Sequence, residues 1–209
     1  MTHGRAVRDS DGGGAVDVVL KVGGALLRDP AAFDRAATTL ARLPRATRIV
    51  LVPGGGIFAD TVRELDRCLA LGDDAAHWMA VLAMNQYAHV LGARIAHAAV
   101  VEDPAVIDAA LAAGRVPILA PYAWLRRADP LPHAWDVTSD SIAAWIAIAL
   151  HARHLVLLKP VAGPALQLSD AHLAHVLETA AAFRGGGTPT VAVCTADDVI
   201  RAVSSLAVT

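Results

Sequence analysis

Short apolar runs alternate along this chain with longer segments in which apolar residues recur every three or four positions. The apolar runs predict strands at residues 16–22, 48–52, 98–101, 116–120, 154–158 and 190–194. The periodic segments predict helices at residues 31–43, 57–71, 75–97, 104–113, 142–150 and 196–203. Alternation of this kind is typical of an α/β fold with a parallel sheet.

Two segments depart from this alternation. Residues 1–15 are polar and glycine-rich, which predicts a disordered leader before a single domain at residues 16–209. Residues 121–132 are rich in proline and charge, and they predict a surface excursion or a small hairpin.

Two glycine turns occupy the same place in successive strand–helix units. Gly23 and Gly24 follow the first strand, and Gly54, Gly55 and Gly56 follow the second. Glycine lets the backbone turn sharply and approach a ligand, so its N–H groups can point at phosphate oxygens. The pair predicts a phosphate site at the carboxyl ends of parallel strands. Tight connections without a ligand are the alternative.

Lysine is rare in this chain. Of the 18 basic residues, 16 are arginines, and the two lysines, Lys21 and Lys159, each stand at the end of an apolar run. A lysine ammonium is a mobile point charge that can follow a phosphoryl group as it moves. We therefore interpret both as candidate phosphate-binding residues, with chance placement as the alternative.

A second polar stretch, residues 133–141, leads into the apolar helix at 142–150. Thr138 or Ser139 could simply cap that helix, with Asp140 favoured by the helix dipole. Alternatively, Asp140 orients one or both lysines while Thr138, Ser139 and backbone N–H groups bind an anion. Both interpretations stay open at this point.

The helix at residues 75–97 carries several polar residues near its start. Asp73 or Asp74 is predicted to cap it. Its histidines, His77, His89 and His97, are interpreted as solvated or core side chains rather than as ligands.

Composition excludes several classes of protein. A net charge of −2 and the absence of a basic run argue against nucleic-acid binding. The longest apolar run, residues 142–150, is shorter than the roughly 20 residues needed to span a bilayer, so no membrane association is expected. No apolar signal core opens the chain, which favours a cytoplasmic location.

Cys68 and Cys194 suggest neither a disulfide framework nor a zinc site, and no metal ligands are predicted. With 55% hydrophobic and 18% charged residues, we expect a homo-oligomer.

Several motifs resemble the amino acid kinase superfamily over residues 16–163. They are VVLKVGG, VLVPGGG, GDDAAHWMAVLAMNQYAHVL, WDVTSDSIAAWIA and HLVLLKPVAG. The resemblance implies a three-layer α/β/α sandwich with a central, mostly parallel sheet, and an ATP-dependent kinase that uses Mg²⁺. Within the superfamily, LPHAWDVTSDSIAAWIA is similar to kinases of methanofuran biosynthesis, which phosphorylate an aminomethylfuranmethyl phosphate.

The motifs and the resemblance together define a set of candidate site residues. The candidate catalytic residues are Lys21, Asp140 and Lys159. The candidate phosphate- and ATP-binding residues are Gly23, Gly24, Gly54, Gly55, Gly56 and Gly163. The acceptor, a small phosphorylated molecule, is assigned to Asp73, Asp136, Thr138 and Ser139, with Trp135 placed to cover a flat ring.

The chain also departs from the superfamily pattern. Uridylate kinases have an Asn and then an Arg after the second glycine turn, where this chain has Ile57-Phe58-Ala59. The nucleotide loop Val-Asp-Gly is replaced by Val161-Ala162-Gly163. Lys159 falls where relatives often have Thr, and no lysine follows it. Arg184 is another candidate for the role of a later lysine.

Three functions compete on this basis. The first is a kinase acting on a phosphate acceptor, either the furan phosphate or an acceptor of the uridylate or isopentenyl phosphate type. The second is a non-catalytic member of the same fold that binds nucleotides or oxyanions in regulation or storage. A dinucleotide-binding oxidoreductase is disfavoured, because no Gly-x-Gly-x-x-Gly follows the first strand.

Overall fold

A six-stranded sheet forms the centre of the protein in a computed structural model, which describes residues 16–161, 163–164, 167, 169–184 and 188–206. The leader predicted at residues 1–15 lies outside these residues. In spatial order the strands are β3 (Ala98–Val101), β4 (Val116–Leu119), β2 (Ile49–Pro53), β1 (Val18–Val22), β5 (His154–Leu158) and β6 (Thr190–Cys194). Each pair of neighbours is parallel, which confirms the predicted sheet.

The continuous apolar runs form the centre of the sheet. Every residue of β1, β2 and β5 is buried, as expected for parallel strands covered on both faces. The edge strands β3 and β6 are less buried. The carboxyl ends of β1, β2 and β5 therefore lie side by side, and each is followed by one of the predicted site segments.

Helices connect the strands near the predicted positions. They are α1 (Pro30–Leu40), α2 (Gly56–Leu69), α3 (Asp73–Arg94), α4 (Ile107–Ala112), α5 (Tyr122–Ala128), α6 (Ser139–Ala149), α7 (His172–Arg184) and α8 (Val199–Leu206), with short 3-10 helices at Gly24–Arg28 and Pro104–Val106. Among them, none has the length and apolarity needed to cross a membrane.

Two local predictions are wrong. The excursion predicted at 121–132 contains the helix α5, because Leu125 is buried against the α6 face of the core. The residue that caps α3 is Gly72, at φ +84°, and Asp73 and Asp74 lie in the first turn instead.

Side-chain alternation divides the core between the two faces of the sheet. Val18, Leu20 and Val22 pack on one face with α1 and α8. Val19 packs on the other face with α6 and α7. Helices on both faces confirm the predicted three-layer α/β/α arrangement. Because side chains alternate along a strand, Lys21 lies on the same face as Val19, toward α6.

Helix α3 offers a matched test of the core. Leu91 is 1% exposed and Leu82 is 41% exposed on the same helix. Leu91→Ala should lower the free energy of unfolding by about 2–5 kcal/mol, because it leaves a cavity in a packed core. Leu82→Ala should change it by no more than about 0.5 kcal/mol. Urea denaturation measures both values, and equal losses would contradict this description of the core.

Candidate active site

One buried carboxylate binds both lysines of the chain. Lys21 is the fourth residue of β1, and Lys159 follows the last residue of the neighbouring strand β5. Lys21 Nζ lies 2.8 Å from Asp140 Oδ1, and Lys159 Nζ donates to Asp140 Oδ2 at 2.6 Å. Asp140 stands in the first turn of α6, where the helix dipole also favours a carboxylate. The structure thus brings together the three predicted catalytic residues.

The charges of this ion triad are largely buried, and burial disfavours the charged form of each group. The side chains of Lys21 and Asp140 are only 7% and 5% exposed. Burial lowers the pKa of Lys21, and Asp140 counteracts this effect only in part. Burial alone would raise the pKa of Asp140, but the two ammonium groups hold it below its ordinary value. A carboxylate between two cations leaves a net positive charge, which suits an anionic ligand.

The two glycine turns pack backbone against backbone beside this triad. A Cβ on Gly24 would lie 2.3 Å from Gly56 N, and a Cβ on Gly23 would lie 2.6 Å from Leu158 O. Gly54 is close to Lys21, since a Cβ there would come within 3.4 Å of Lys21 Cε. Only residues without a side chain allow the two turns to meet in this way.

Two of the glycines do not fit the predicted role of N–H donors to phosphate. The Gly23 N–H donates to Leu158 O at 2.9 Å, and the Gly54 N–H donates to Val22 O at 2.9 Å. Both amides are committed to continuing the sheet, so these glycines serve close packing. Gly24, Gly55 and Gly56 instead line an open cavity, where their predicted role stays a prediction.

This cavity has a volume of about 280 Å³ and lies between α2, α3 and the segment before α6. Three of the predicted acceptor-binding residues line it, namely Asp73, Thr138 and Ser139, and Trp135 does so as well. Asp136 does not belong to the cavity wall and is exposed, so its assignment to the acceptor is not supported. The structure therefore favours Asp73 over Asp136 as the carboxylate that faces a ligand.

Asp170, a carboxylate that was not predicted from the sequence, binds the start of α6. Thr138 caps the helix by accepting a hydrogen bond from Asp140 N–H at 3.2 Å. Asp170 accepts hydrogen bonds from the main-chain N–H groups and hydroxyls of Thr138 and Ser141. It also accepts from Leu173 N–H at 2.8 Å and so joins the starts of α6 and α7. The capping interpretation of Thr138 is confirmed, whereas the anion position expected there is filled by Asp170.

Charged side chains on the opposite wall were also missed. Asp60 Oδ2 accepts from Arg28 at 2.7 Å, and Arg63 contacts Asp60 Oδ1 at 3.3 Å. The Arg63 guanidinium lies 4.6 Å from the ring centroid of Trp135. The spacing of Gly56, Asp60 and Arg63 places them on one face of α2. This spacing is the sequence pattern from which the charged wall could have been predicted. Because Arg63 covers one face of Trp135, a flat ligand has at most the other face of that ring.

The remaining candidates contribute less to the described site. Gly163 is exposed, and its predicted contact with nucleotide stays a prediction. Ala162 of the altered nucleotide loop lies outside the described residues. Arg184 ends α7, but its side chain is likewise not among those described.

The ion triad should matter for stability as well as for binding. Asp140→Asn leaves Lys21 buried without a carboxylate, and we expect a loss of about 3–5 kcal/mol in the free energy of unfolding. Asp34→Asn removes an exposed ion pair with Arg94 and should cost no more than about 1 kcal/mol. Denaturant titration of both variants at pH 7 measures the difference.

The contribution of Asp140 to the free energy of unfolding should also depend on pH. Because the folded-state pKa of Asp140 lies below its ordinary value of 3.8, the folded protein binds fewer protons there than the unfolded chain. The contribution of Asp140 is complete above that value and is lost as the pH falls through the folded pKa. Asp140→Asn should therefore flatten the acid limb of the stability curve, and an unchanged limb would contradict the assignment.

Comparison with known proteins agrees with this geometry. The model of the amino acid kinase family matches residues 18–163. The (5-(aminomethyl)furan-3-yl)methyl phosphate kinase of Methanocaldococcus jannaschii is 28% identical over 145 residues, covering 69% of this chain and 66% of that protein. The uridylate kinase of Methanococcoides burtonii is 28% identical over 152 residues, covering 70% of this chain and 60% of that protein. The chain thus aligns with two thirds or less of each relative's length.

Solved structures show the same fold. The uridylate kinase of Archaeoglobus fulgidus superimposes with a TM-score of 0.64 at 19% identity, over 90% of this chain and 95% of that one. The UMP kinase of Ureaplasma parvum gives a TM-score of 0.63 at 18% identity over the same shares. The matching family model, the parallel sheet and the glycine turns together show that this chain belongs to the amino acid kinase family.

Proposed function

We propose that this protein is an ATP-dependent kinase that transfers the γ-phosphoryl group of ATP to the phosphate of a small acceptor. The observation that carries this proposal is the Asp140 carboxylate shared by Lys21 and Lys159. The triad lies at the carboxyl ends of two adjacent strands, beside the packed glycine turns. It supplies fixed positive charge where a phosphoryl group would pass.

The proposed transfer needs no general base. A phosphate oxygen of the acceptor is already ionised, so it attacks the γ-phosphorus directly and forms the new P–O bond. The bond between the γ-phosphorus and the β–γ bridging oxygen breaks, and its electron pair stays on ADP. Catalysis then depends on positioning and on charge neutralisation. Lys21 would neutralise the transferring group, Asp140 would hold Lys21 in place, and Lys159 would face ATP.

The glycine turns fit a polyphosphate chain. Gly24, Gly55 and Gly56 present bare backbone to the cavity, and no side chain caps the start of α2 at Gly55. The N–H groups of that first turn suit an anion. Mg²⁺ would arrive with ATP as its co-substrate complex, held mainly by phosphate oxygens.

The cavity also supports a particular class of acceptor. Arg28 and Arg63 supply cations for an acceptor phosphate, and Asp73 supplies a carboxylate for an ammonium group. A volume of about 280 Å³ suits a small molecule. Together with the relative of M. jannaschii, these charges support (5-(aminomethyl)furan-3-yl)methyl phosphate as the acceptor. The similarity to uridylate kinases makes uridine monophosphate the second candidate.

Apolar side chains on the surface support the expected homo-oligomer. Ile57 and Leu69 on α2 are 45% and 64% exposed. An oligomer that covers these side chains would remove them from water. We also propose a cytoplasmic location, where ATP is available.

A non-catalytic nucleotide- or oxyanion-binding protein is the competing function. The altered loop Val161-Ala162-Gly163 and the absence of a lysine after Lys159 favour it. Such a protein would bind ATP without turning over any acceptor.

Measurement of ADP release with Mg-ATP tests the proposal directly. The acceptors to compare are the furan phosphate, isopentenyl phosphate, uridine monophosphate, aspartate and acetylglutamate. Lys21→Ala should lower turnover by about 10²–10³-fold, the cost of one preorganised charge, while circular dichroism shows an intact fold. Arg42→Ala, on an exposed surface, is the matched control and should retain activity. Wild-type turnover in Lys21→Ala would remove Lys21 from the mechanism, and ATP binding without any turnover would favour the binding protein.

Asp73 lines the cavity and Asp136 does not, so variants of these two carboxylates test whether the lining residue binds the acceptor. Asp73→Asn should raise the Michaelis constant for an amino-bearing acceptor about tenfold, because it removes the partner of the ammonium group. Asp136→Asn should leave it unchanged, since Asp136 is exposed outside the cavity wall. Steady-state kinetics with the furan phosphate as variable substrate measures both, and the reverse result would show that Asp136 binds the acceptor.

A further inference from the structure

A stacked pair of histidines stands at the wall of the cavity. His77 lines the cavity, and its ring lies 4.1 Å from that of His133, at an interplanar angle of 18°. Trp78 meets both rings edge-on, at 4.7 Å and 5.1 Å. The interpretation of His77 as a solvated or core residue is therefore incomplete, because His77 lines the cavity in which we propose that the acceptor binds.

His133 is fixed by a carboxylate on each side. Its Nδ1 lies 2.6 Å from Asp74 Oδ1, and its Nε2 lies 2.9 Å from Asp129 Oδ1. A ring with both nitrogens on carboxylates is a double donor, and the hydrogen bond to Asp74 is the main reason why the pKa of His133 is raised. His77 is thereby stacked on the imidazolium ion of His133.

The same arrangement keeps His77 neutral. Burial, followed by the charge of His133, lowers the pKa of His77 to about 4. A neutral imidazole offers one N–H donor and one nitrogen acceptor to a ligand. Asp73 and His77 are four residues apart on α3, so both lie on the same face of the helix and line the same cavity.

We infer that His77 is a specificity-determining residue for the acceptor, and that His133, held by Asp74 and Asp129, is its positioning residue. This inference rests on the proposed function. The ligand class is a small phosphorylated acceptor whose ammonium group pairs with Asp73 and whose adjacent polar atom hydrogen-bonds to the His77 ring. A neutral ring is required there, because a second cation beside the ammonium would repel it.

Other charged residues also lie near His77 and His133. The Arg126 guanidinium, on α5, lies 4.6 Å from the centroid of the Trp78 ring. Across the cavity, α2 and the segment before α1 contribute the charged residues Asp60, Arg63 and Arg28. Among the groups that act on His77, Asp74 and Asp129 oppose its loss of the proton and His133 promotes it. Removal of His133 should therefore raise the pKa of His77.

Two variants test the inference by steady-state kinetics with the furan phosphate. His77→Ala should raise the acceptor Michaelis constant about 3–10-fold, the loss of one hydrogen bond, with the ATP Michaelis constant unchanged. As the pH falls from 7.5 to 5.5, the acceptor Michaelis constant should rise more steeply in His133→Gln than in the wild type, where only the acceptor phosphate, with a second pKa of about 6, contributes. His89→Gln, exposed on the same helix, is the matched control and should behave as the wild type.

Nuclear magnetic resonance of the histidine rings separates this inference from the proposed function. In His133→Gln, the titration of His77 should move up toward the ordinary value of 6.5. In the wild type without ATP, the furan phosphate should shift the His77 ring signals in a saturable way. If these signals shift while no acceptor is turned over, the kinase proposal fails and the role of His77 stands. If turnover occurs while the His77 signals and the acceptor constant of His77→Ala stay unchanged, the inference is overturned.

Discussion

The candidate active site depends on one buried carboxylate placed between two ammonium groups. Lys21 and Lys159 extend from neighbouring parallel strands on the same face of the sheet, and Asp140 meets both from the start of α6. Without Asp140 the two cations would repel each other in a poorly solvated place. With it, the three residues of the triad together carry one positive charge at the sheet edge where a phosphoryl group would be held.

Backbone packing brings the rest of the site to this charge. Gly24 and Gly56 come too close together for any side chain, so the turns after β1 and β2 lie against each other. This contact brings the start of α2 next to Lys21 and leaves Gly24, Gly55 and Gly56 open to the cavity. Asp170 completes the arrangement by fixing the start of α6, and with it the position of Asp140.

The local features of this site could be predicted from the sequence. Apolar runs identify the strands, the rarity of lysine singles out Lys21 and Lys159, and the glycine runs identify the turns. Apart from Asp60 and Arg63, whose spacing on α2 is a local pattern, the features that were missed depend on contacts between distant residues. Gly23 and Gly54 use their N–H groups within the sheet, Asp170 reaches α6 from about thirty residues away, and His133 stacks on His77 across 56 positions. No local pattern of hydrophobicity or propensity records such pairings.

The most direct test of the account is to identify the product of the reaction by phosphorus-31 NMR. Purified wild-type protein would be incubated with Mg-ATP and (5-(aminomethyl)furan-3-yl)methyl phosphate. If the protein transfers the γ-phosphoryl group, the acceptor monophosphate signal is replaced by a coupled pair of diphosphate signals, and one ADP is formed for each molecule of diphosphate product. ATP hydrolysis to inorganic phosphate with the acceptor signal intact, or no change in any signal, would contradict phosphoryl transfer from ATP to this acceptor.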